Sequence, residues 1–407
     1  MSVYTAAECR LADLVSVMAA EPGLEHYPHA SAIDSGAVVF HGPSLIAATA
    51  DPVARRAVLA ELAHALGPEG TGIVVLQQAV NLAAVDAASD AFRALIADQH
   101  ARGAVAGDHF AKPGANDRVW SALEKLAVQS PEVFAEYYQS ELIALVSEAW
   151  LGPWYQVTSQ VNVVNPGGQA QSPHRDYHLG FLSDEQAEQF PAHVHHLSPA
   201  LTLQGAVAHC DMPVESGPTL YLPRSHRYAL GYLAWRRPEF IEYFDQHHVQ
   251  LPLQKGDAVF FNPALFHAAG ENRTGDVQRL ANLLQVSSPF GRAMETIDRQ
   301  RVVDAVYPAL LRARADGMPE CDLAHVVVVA DAHHHEVLAA CGLLRRGGFL
   351  AAILRDPFVG LGGVAVVNGD LVTALVFQVP GHRIAHHAKS EPRHAHFASL
   401  PVKPEAS

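Results

Sequence analysis

The chain has 407 residues, of which 49% are apolar, so it can bury a large core in one elaborated domain or in two smaller ones. Its formal net charge of -14, without any lysine- and arginine-rich run, gives no electrostatic basis for binding nucleic acid or an anionic membrane. The four cysteines have no paired spacing, no apolar stretch is long enough to span a membrane, and residues 1–10 lack a signal-peptide pattern, so we expect a cytoplasmic protein with free thiols.

The first third of the chain has mostly helical patterning. Thr5 and Glu8 form a capping box ahead of an apolar stripe, and Asp51 precedes a proline at a first helical position. Residues 21–50 are rich in glycine, proline, histidine and serine, which predicts an irregular arm. Residues 72–76 predict a short buried strand. Helices are predicted over residues 5–20, 51–67, 81–100 and 130–152.

From Tyr155 onwards the apolar period shortens, and short strands alternate with turns rich in glycine and proline. This pattern predicts a β-sandwich or jelly roll sheathed by the preceding helices, with residues 184–198 as a polar insertion. The predicted strands cover residues 156–164, 201–208, 219–222, 251–253, 257–267 and 279–288.

The C-terminal part differs in character from the predicted sandwich. Residues 301–314 predict a helix, whereas residues 325–378 are apolar and rich in glycine. The latter stretch is either a small β-rich appendage or a sequence whose reading frame departs from the ancestral one. We therefore divide the chain into an N-terminal helical arm (1–55), a core domain (56–298), and a C-terminal helix with a poorly defined tail (299–407).

The strongest chemical signal is a pair of metal-ligand residues, His174 and Asp176, which would share one face of an extended strand. His267 follows an apolar stretch and offers a third ligand. Two histidines and one carboxylate form the facial triad of non-heme Fe(II) oxygenases, which leaves three coordination positions for 2-oxoglutarate and O2. Asp176 fills the position that a halide would need, which favours a hydroxylase over a halogenase.

Arg279 opens a further apolar strand and could clamp the far carboxylate of 2-oxoglutarate with its fork of donors. Arg273 is the competing residue, but it lies in a turn over residues 270–275 that we expect to be solvated. Of the other histidines, His178 would join the ligand face only if the strand stays extended, and His226 is expected to be a structural loop residue.

Over residues 72–289 the chain resembles the phytanoyl-CoA dioxygenase family of Fe(II)/2-oxoglutarate oxygenases. The resemblance rests on an ordered set of motifs: His174-Arg175-Asp176-Tyr177-His178; Asp211 with Glu215-Ser216-Gly217-Pro218-Thr219 and Pro223-Arg224-Ser225-His226-Arg227; Gly256-Asp257 to His267; and Asn272 with Arg279.

The resemblance implies an α+β fold with a double-stranded β-helix core, the cupin-like jelly roll, flanked by N-terminal helices. It also implies iron(II), 2-oxoglutarate and O2, with release of succinate and CO2. Lys112 and Gln160 match family positions that approach the co-substrate. Two residues depart from the family pattern: Arg224 replaces the usual glycine, and Ala269 stands where the family often has a small hydroxyl donor to 2-oxoglutarate.

We therefore expect a dioxygenase that hydroxylates an unactivated C–H bond of a small organic molecule. A jelly-roll metalloenzyme that does not use 2-oxoglutarate and a non-catalytic binding protein with this fold are the alternatives. Neither the substrate nor the oligomeric state follows from the sequence. An acyl-CoA substrate stays open, because Arg224, Arg227, Arg236 and Arg237 supply local positive charge.

Overall fold

The computed structural model describes residues 3–103 and 116–330 of the protein. This part of the chain is an α+β fold with a double-stranded β-helix core, in which a large sheet faces a small one. Its strands are β1 (Ala32–Asp34), β2 (Ala37–His41), β3 (Ile73–Gln77), β4 (Asn116–Val119), β5 (Gln156–Val164), β6 (Thr202–Ala208), β7 (Leu220–Leu222), β8 (Val249–Gln250), β9 (Ala258–Phe261), β10 (Phe266–Ala268) and β11 (Arg279–Ser287).

The large sheet has the strand order β1-β2-β3-β9-β6-β11-β5-β4, and the small sheet has the order β10-β7-β8. All neighbouring strands are antiparallel except β2 and β3. The longest pairing joins β11 to β5, from Arg279 opposite Val164 to Ser287 opposite Gln156. Because successive side chains point to opposite faces of a strand, β9 sends Phe260 towards the helices and Phe261 towards the small sheet.

Helices cover the outer face of the large sheet. The main hydrophobic core lies between these helices and the large sheet. There Val58, Phe92 and Val302 of three helices pack in one cluster with Val161 and Leu280 of the sheet. The helices are α1 (Leu11–Met18), α2 (Gly42–Ala47), α3 (Pro52–Leu66), α4 (Leu82–Ala101), α5 (Ala122–Gln129), α6 (Pro131–Tyr138), α7 (Glu141–Leu151), α8 (Asp184–Ala187), α9 (Ala192–Ala200), α10 (Gly231–Ala234), α11 (Pro238–His247), α12 (Arg299–Ala315) and α13 (Glu320–Ala330).

Several predicted elements are confirmed, and their end signals act as expected. The Asp51 carboxylate accepts hydrogen bonds from the backbone N–H groups of Val53 and Ala54, and α3 then ends at Leu66 before Gly67. Helix α4 and strands β3, β5, β6 and β11 match their predicted ranges to within two residues. In the part of the chain that the structure describes, no helix is both long and apolar enough to cross a membrane.

The prediction of an irregular arm over residues 21–50 was wrong in part. This segment contains the hairpin of β1 and β2, and β2 extends the large sheet beside β3. Ser35 and Gly36 both have positive φ, 49° and 76°, which is the backbone conformation of a tight two-residue hairpin turn. The prediction was based on the polar composition of the whole segment, which outweighed the short apolar run of β2.

Three other predicted elements are interrupted. The segment 130–152 is two helices, because the Ser140 hydroxyl accepts from the backbone N–H of Ile143 and starts α7. The segment 5–20 is a 3-10 turn, Ala6–Glu8, followed by α1. The segment 257–267 leaves the large sheet after β9 and enters the small sheet as β10.

The polar insertion and the C-terminal part also differ from expectation. Residues 184–198 are largely helical, as α8 and α9. The valines at 326–329 lie in helix α13, so the β-rich alternative is wrong for them. The rest of that stretch lies outside the described residues, and the segment boundaries at 55 and 298 stay a prediction.

Candidate metal centre and co-substrate pocket

Two distant parts of the chain meet beside the small sheet. His174 and His267 exchange both backbone hydrogen bonds, with N–O distances of 2.9 and 3.1 Å, and form an isolated antiparallel bridge. His267 also lies in β10, which pairs with β7 at Tyr221. The bridge therefore fixes the backbone of the predicted ligand pair directly against the backbone of the third predicted ligand.

The extended conformation predicted for this motif does not continue past Asp176. Tyr177 and His178 have φ values of 61° and 40°, and the chain enters the 3-10 turn His178–Phe181. The His178 ring nitrogen Nδ1 lies 3.1 Å from Ser198 Oγ. His178 is thus turned away from the ligand face, because two consecutive residues with positive φ redirect the chain.

The side chains of His174, Asp176 and His267 converge. One ligand atom from each lies within 4.8 Å of the others. Asp176 Oδ1 lies 3.7 Å from His174 Nε2, and Asp176 Oδ2 lies 3.4 Å from His267 Nε2. In an octahedral site with ligand distances of about 2.1 Å, as for zinc-bound imidazole and carboxylate, adjacent ligand atoms are about 3 Å apart. The three groups therefore fit one first-row metal ion.

Both imidazoles have the same orientation with respect to their own backbone. His174 Nδ1 lies 2.9 Å from the carbonyl oxygen of Ser172, and His267 Nδ1 lies 3.0 Å from that of Leu265. A carbonyl oxygen only accepts hydrogen bonds, so each Nδ1 carries the proton. Each Nε2 then presents its lone pair to the centre, as metal-binding histidines require.

Asp176 is kept ionised by its neighbours. Burial alone would raise the pKa of its carboxyl group, but the adjacent His174 and His267 and a hydrogen bond from Gln204 together hold that pKa well below its usual range. Gln204 Nε2 in β6 donates to Asp176 Oδ2 at 2.5 Å. Sequence reasoning missed Gln204, although a glutamine in the middle of an apolar strand was the available signal.

Arg279 lies in the same cavity as the three candidate ligands, which has a volume of about 330 Å³. It is 6% exposed, and it makes no side-chain hydrogen bond or ion pair with the residues that the structure describes. Burial lowers its pKa to about 10, so the guanidinium is still charged at neutral pH. A buried cation that faces a cavity suits an anionic ligand. Arg273, in contrast, is exposed.

The other two predicted co-substrate residues have different outcomes. Lys112 lies outside the described residues. Gln160 is buried on β5 and lines the cavity, where its Oε1 accepts two hydrogen bonds from Arg118. Its Nε2 donates to Gln285 Oε1 at 3.4 Å. Gln160 thus faces the cavity with both ends of its amide already bonded, and its co-substrate role stays a prediction. Sequence reasoning also missed Arg118, which stacks on Trp120.

The cavity also contains the hydroxyl group of a tyrosine. The Tyr221 side chain lines the cavity, and its hydroxyl is buried without a hydrogen-bond partner in the described parts of the chain. Burial raises its pKa well above the ordinary value, so the hydroxyl keeps its proton and can donate. A donor is therefore available on β7 in the small sheet, near enough to Arg279 for the charge of the guanidinium to act on the Tyr221 hydroxyl.

The four arginines that could have attracted a CoA phosphate form hydrogen bonds and ion pairs with other residues of the protein. Arg224, which has φ of 68°, donates to Met18 carbonyl oxygen and to the Glu21 carboxylate. The others hold the N-terminal segment and the region of α8. Their partners are the carbonyls of Ala20, Glu69 and Gly70 for Arg227, Asp184 and the Leu182 carbonyl for Arg236, and Glu239 and the Ala6 carbonyl for Arg237.

A jelly roll in which two imidazoles and one carboxylate converge beside a buried arginine is the arrangement of the non-heme iron class with a facial triad. The chain belongs to the phytanoyl-CoA dioxygenase (PhyH) family, whose model matches residues 69–281. Iron(II), 2-oxoglutarate and O2 are the cofactor and co-substrates of that family, and the donor set described above fits them.

Individual relatives match the chain only in part. "Dioxygenase trt7" of Aspergillus terreus (strain NIH 2624 / FGSC A1156) is 30% identical over 126 residues, which are 31% of this chain and 38% of that protein. The chain therefore spans well under two thirds of that relative's length.

Solved structures give partial superpositions. EctD from S. alaskensis, solved with 2-oxoglutarate and 5-hydroxyectoine, has a TM-score of 0.43 and 19% identity, covering 57% of this chain and 77% of EctD. The non-heme alpha ketoglutarate dependent epimerase SnoN from nogalamycin biosynthesis has a TM-score of 0.36 and 19% identity, covering 58% and 84%. Because both TM-scores are below 0.5, neither superposition supports an assignment of site residues, and the assignments depend on the geometry of this chain.

Proposed function

We propose that this protein is an Fe(II)- and 2-oxoglutarate-dependent dioxygenase that hydroxylates a C–H bond of a small organic molecule and releases succinate and CO2. The observation that carries the proposal is the convergence of His174, Asp176 and His267 in the cavity that also contains the guanidinium of Arg279, which has no partner within residues 3–103 and 116–330. Family membership supports it independently.

In this proposal each residue of the centre has a defined task. The Nε2 atoms of His174 and His267 and one oxygen of Asp176 bind the metal, and the carbonyl contacts at Nδ1 keep both rings in the binding tautomer. Iron(II) with 2-oxoglutarate supplies the oxidising chemistry. The carboxylate of Asp176 takes a coordination position that a halogenase would leave to halide, which is why we favour hydroxylation.

Arg279 binds the far carboxylate of 2-oxoglutarate. It lies at the start of β11, and burial in a cavity makes its charge more effective than it would be in water. We assign the Tyr221 hydroxyl as the second donor to that carboxylate, in place of the missing side chain at Ala269. Lys112 and Gln160 stay candidates for lesser contacts.

The substrate is expected to enter past a mixed surface of apolar and amide side chains. Trp120, Phe181 and Met294 supply the apolar part, and Gln285 supplies an amide on the cavity wall. Because Arg224, Arg227, Arg236 and Arg237 already bind carbonyls and carboxylates of the protein, they do not support a site for a CoA phosphate.

The test is an anaerobic metal titration followed by a turnover assay. Wild-type protein should bind one Fe(II) or Co(II) per chain, and with O2 it should convert 2-oxoglutarate to succinate, faster when a substrate is present. His174→Ala should weaken metal binding at least about 100-fold, since loss of an outer-shell partner alone costs about 10–100-fold. His178→Ala is the matched control, because its ring contacts Ser198 instead of the centre.

The two alternatives give different results in the same experiment. A metalloenzyme that does not use 2-oxoglutarate would bind the metal but would show no effect of 2-oxoglutarate on turnover. A non-catalytic protein would show no O2-dependent succinate formation with any substrate, and His174→Ala would leave its activity in cells unchanged. Either result would contradict the proposal.

A further inference from the structure

Arg175 stands between the two predicted ligands His174 and Asp176, and its side chain leaves their face of the chain. It is among the largest fully buried side chains in the described residues, with 2% exposure. Alternation along an extended segment sends the side chain at 175 away from those at 174 and 176. Arg175 therefore enters the protein interior behind the candidate metal centre.

The guanidinium of Arg175 is enclosed on several sides. Its Nη2 donates to the carbonyl oxygens of Ser225 and Tyr228 at 2.7 and 3.0 Å. The rings of Tyr232 and Phe266 each lie with their centres 5.1 Å from Cζ. Gly231 closes the remaining side, and a Cβ atom there would lie 1.9 Å from Cζ. This position requires both a planar cation and a glycine beside it.

These contacts link the two segments of the chain that carry the candidate metal ligands. Phe266 immediately precedes His267 in β10, and its backbone N–H donates to the Ser225 hydroxyl at 2.8 Å. Ser225 thus accepts from Arg175 through its carbonyl and from Phe266 through its hydroxyl. The segment carrying two ligands and the strand carrying the third are fastened to the same turn, Ser225–Arg227.

Arg175 has no carboxylate partner among the residues that the structure describes, so burying its charge costs folding free energy. This cost favours a role for Arg175 other than stabilising the fold. We propose that Arg175 is a positioning residue that holds His174 and Asp176 at bonding distance from the metal carried by His267. The inference rests on the proposed function only in that these three residues bind a metal.

The test compares two buried arginines by Co(II) affinity under anaerobic conditions. Arg175→Met keeps the length of the side chain but loses the two carbonyl contacts. Arg299→Met is the matched control, because Arg299 is also buried and donates to two backbone carbonyls, those of Val329 in α13 and Val157 in β5. Thermal unfolding of both variants without metal measures the structural effect alone.

We expect both variants to unfold at lower temperature, but only Arg175→Met should weaken Co(II) binding, by about 10–100-fold. Arg175→Lys should fall between wild type and Arg175→Met, since an ammonium group cannot span two carbonyls and two rings as a guanidinium does. If Arg175→Met does not fold, the lysine variant carries the comparison with Arg299→Met.

Three outcomes would overturn the inference. Co(II) affinity within about twofold of wild type in a folded Arg175 variant would make the residue merely structural. An equal loss of affinity in Arg299→Met would mean that general destabilisation is the cause. If wild type itself binds no Co(II), or if His174→Ala binds it as tightly as wild type, the proposed function fails together with the inference.

Discussion

Replacing Arg279 by methionine should selectively remove 2-oxoglutarate binding. The guanidinium is buried in the cavity, and none of the carboxylates in the described segments pairs with it, so a bound dicarboxylate would be its counter-ion. A hydrogen bond to a charged group contributes about 1.5–3 kcal/mol, and two such bonds from one fork contribute about 3 kcal/mol or more. At 1.4 kcal/mol per factor of ten, affinity should fall at least about 100-fold.

The assay is equilibrium binding of 2-oxoglutarate to Co(II)-loaded protein without O2, and Co(II) affinity is measured on the same samples. Arg279→Met should retain Co(II) affinity within a few-fold, because Arg279 is not one of the three ligands. Arg273→Met is the matched control: this arginine was the competing candidate, it is exposed, and its loss should change nothing. A change of less than threefold in 2-oxoglutarate affinity for Arg279→Met would refute the assignment.

Three further predictions concern Tyr221 and Gln204, which lie beside the centre, and two buried histidines elsewhere in the fold. Tyr221→Phe should weaken 2-oxoglutarate binding about tenfold, since it removes one donor; unchanged affinity would show that the hydroxyl is not used. Gln204→Leu should weaken Co(II) binding about 10–100-fold through Asp176, and an unaltered titration would speak against this contact. Burial lowers the pKa values of His209 and His226 to about 3, whereas the unfolded chain binds protons near pH 6.5. The free energy of unfolding should therefore decrease as pH falls from about 6.5 towards 3, by up to about 2.7 kcal/mol per pH unit for two protons, which urea unfolding at several pH values would measure.

Part of the fold was predictable because its signals are local. The cap at Asp51, the glycine at 67 and the alternating apolar residues of β5 and β11 each act within a few residues, and the structure confirms those elements. The hairpin of β1 and β2 was missed because a short apolar run becomes a strand only when β3 is beside it. The break at Ser140 was missed because its hydroxyl competes locally with a continuous helix.

The candidate ligands and the candidate clamp were predictable from residue types. The side chains that surround and orient them were not. Histidine, aspartate and arginine were recognisable as ligand and clamp types before any coordinates, and the motif order gave the family. The contacts of Gln204 and Arg175 could not be predicted, because each joins the side chain to a residue far away in the chain.

The sequence by itself determined the donor types, the acidic charge and most helix and strand starts, since these depend on side-chain chemistry and on neighbours within one turn. The tertiary structure alone decided which donors meet, because His174 and His267 are brought together by two backbone hydrogen bonds across two segments that are far apart in the chain. It also decided that Arg227 and Arg236 bind backbone carbonyls, because folding brings the carbonyls of Ala20 and Leu182, which are far away in the chain, within hydrogen-bond distance of these guanidinium groups.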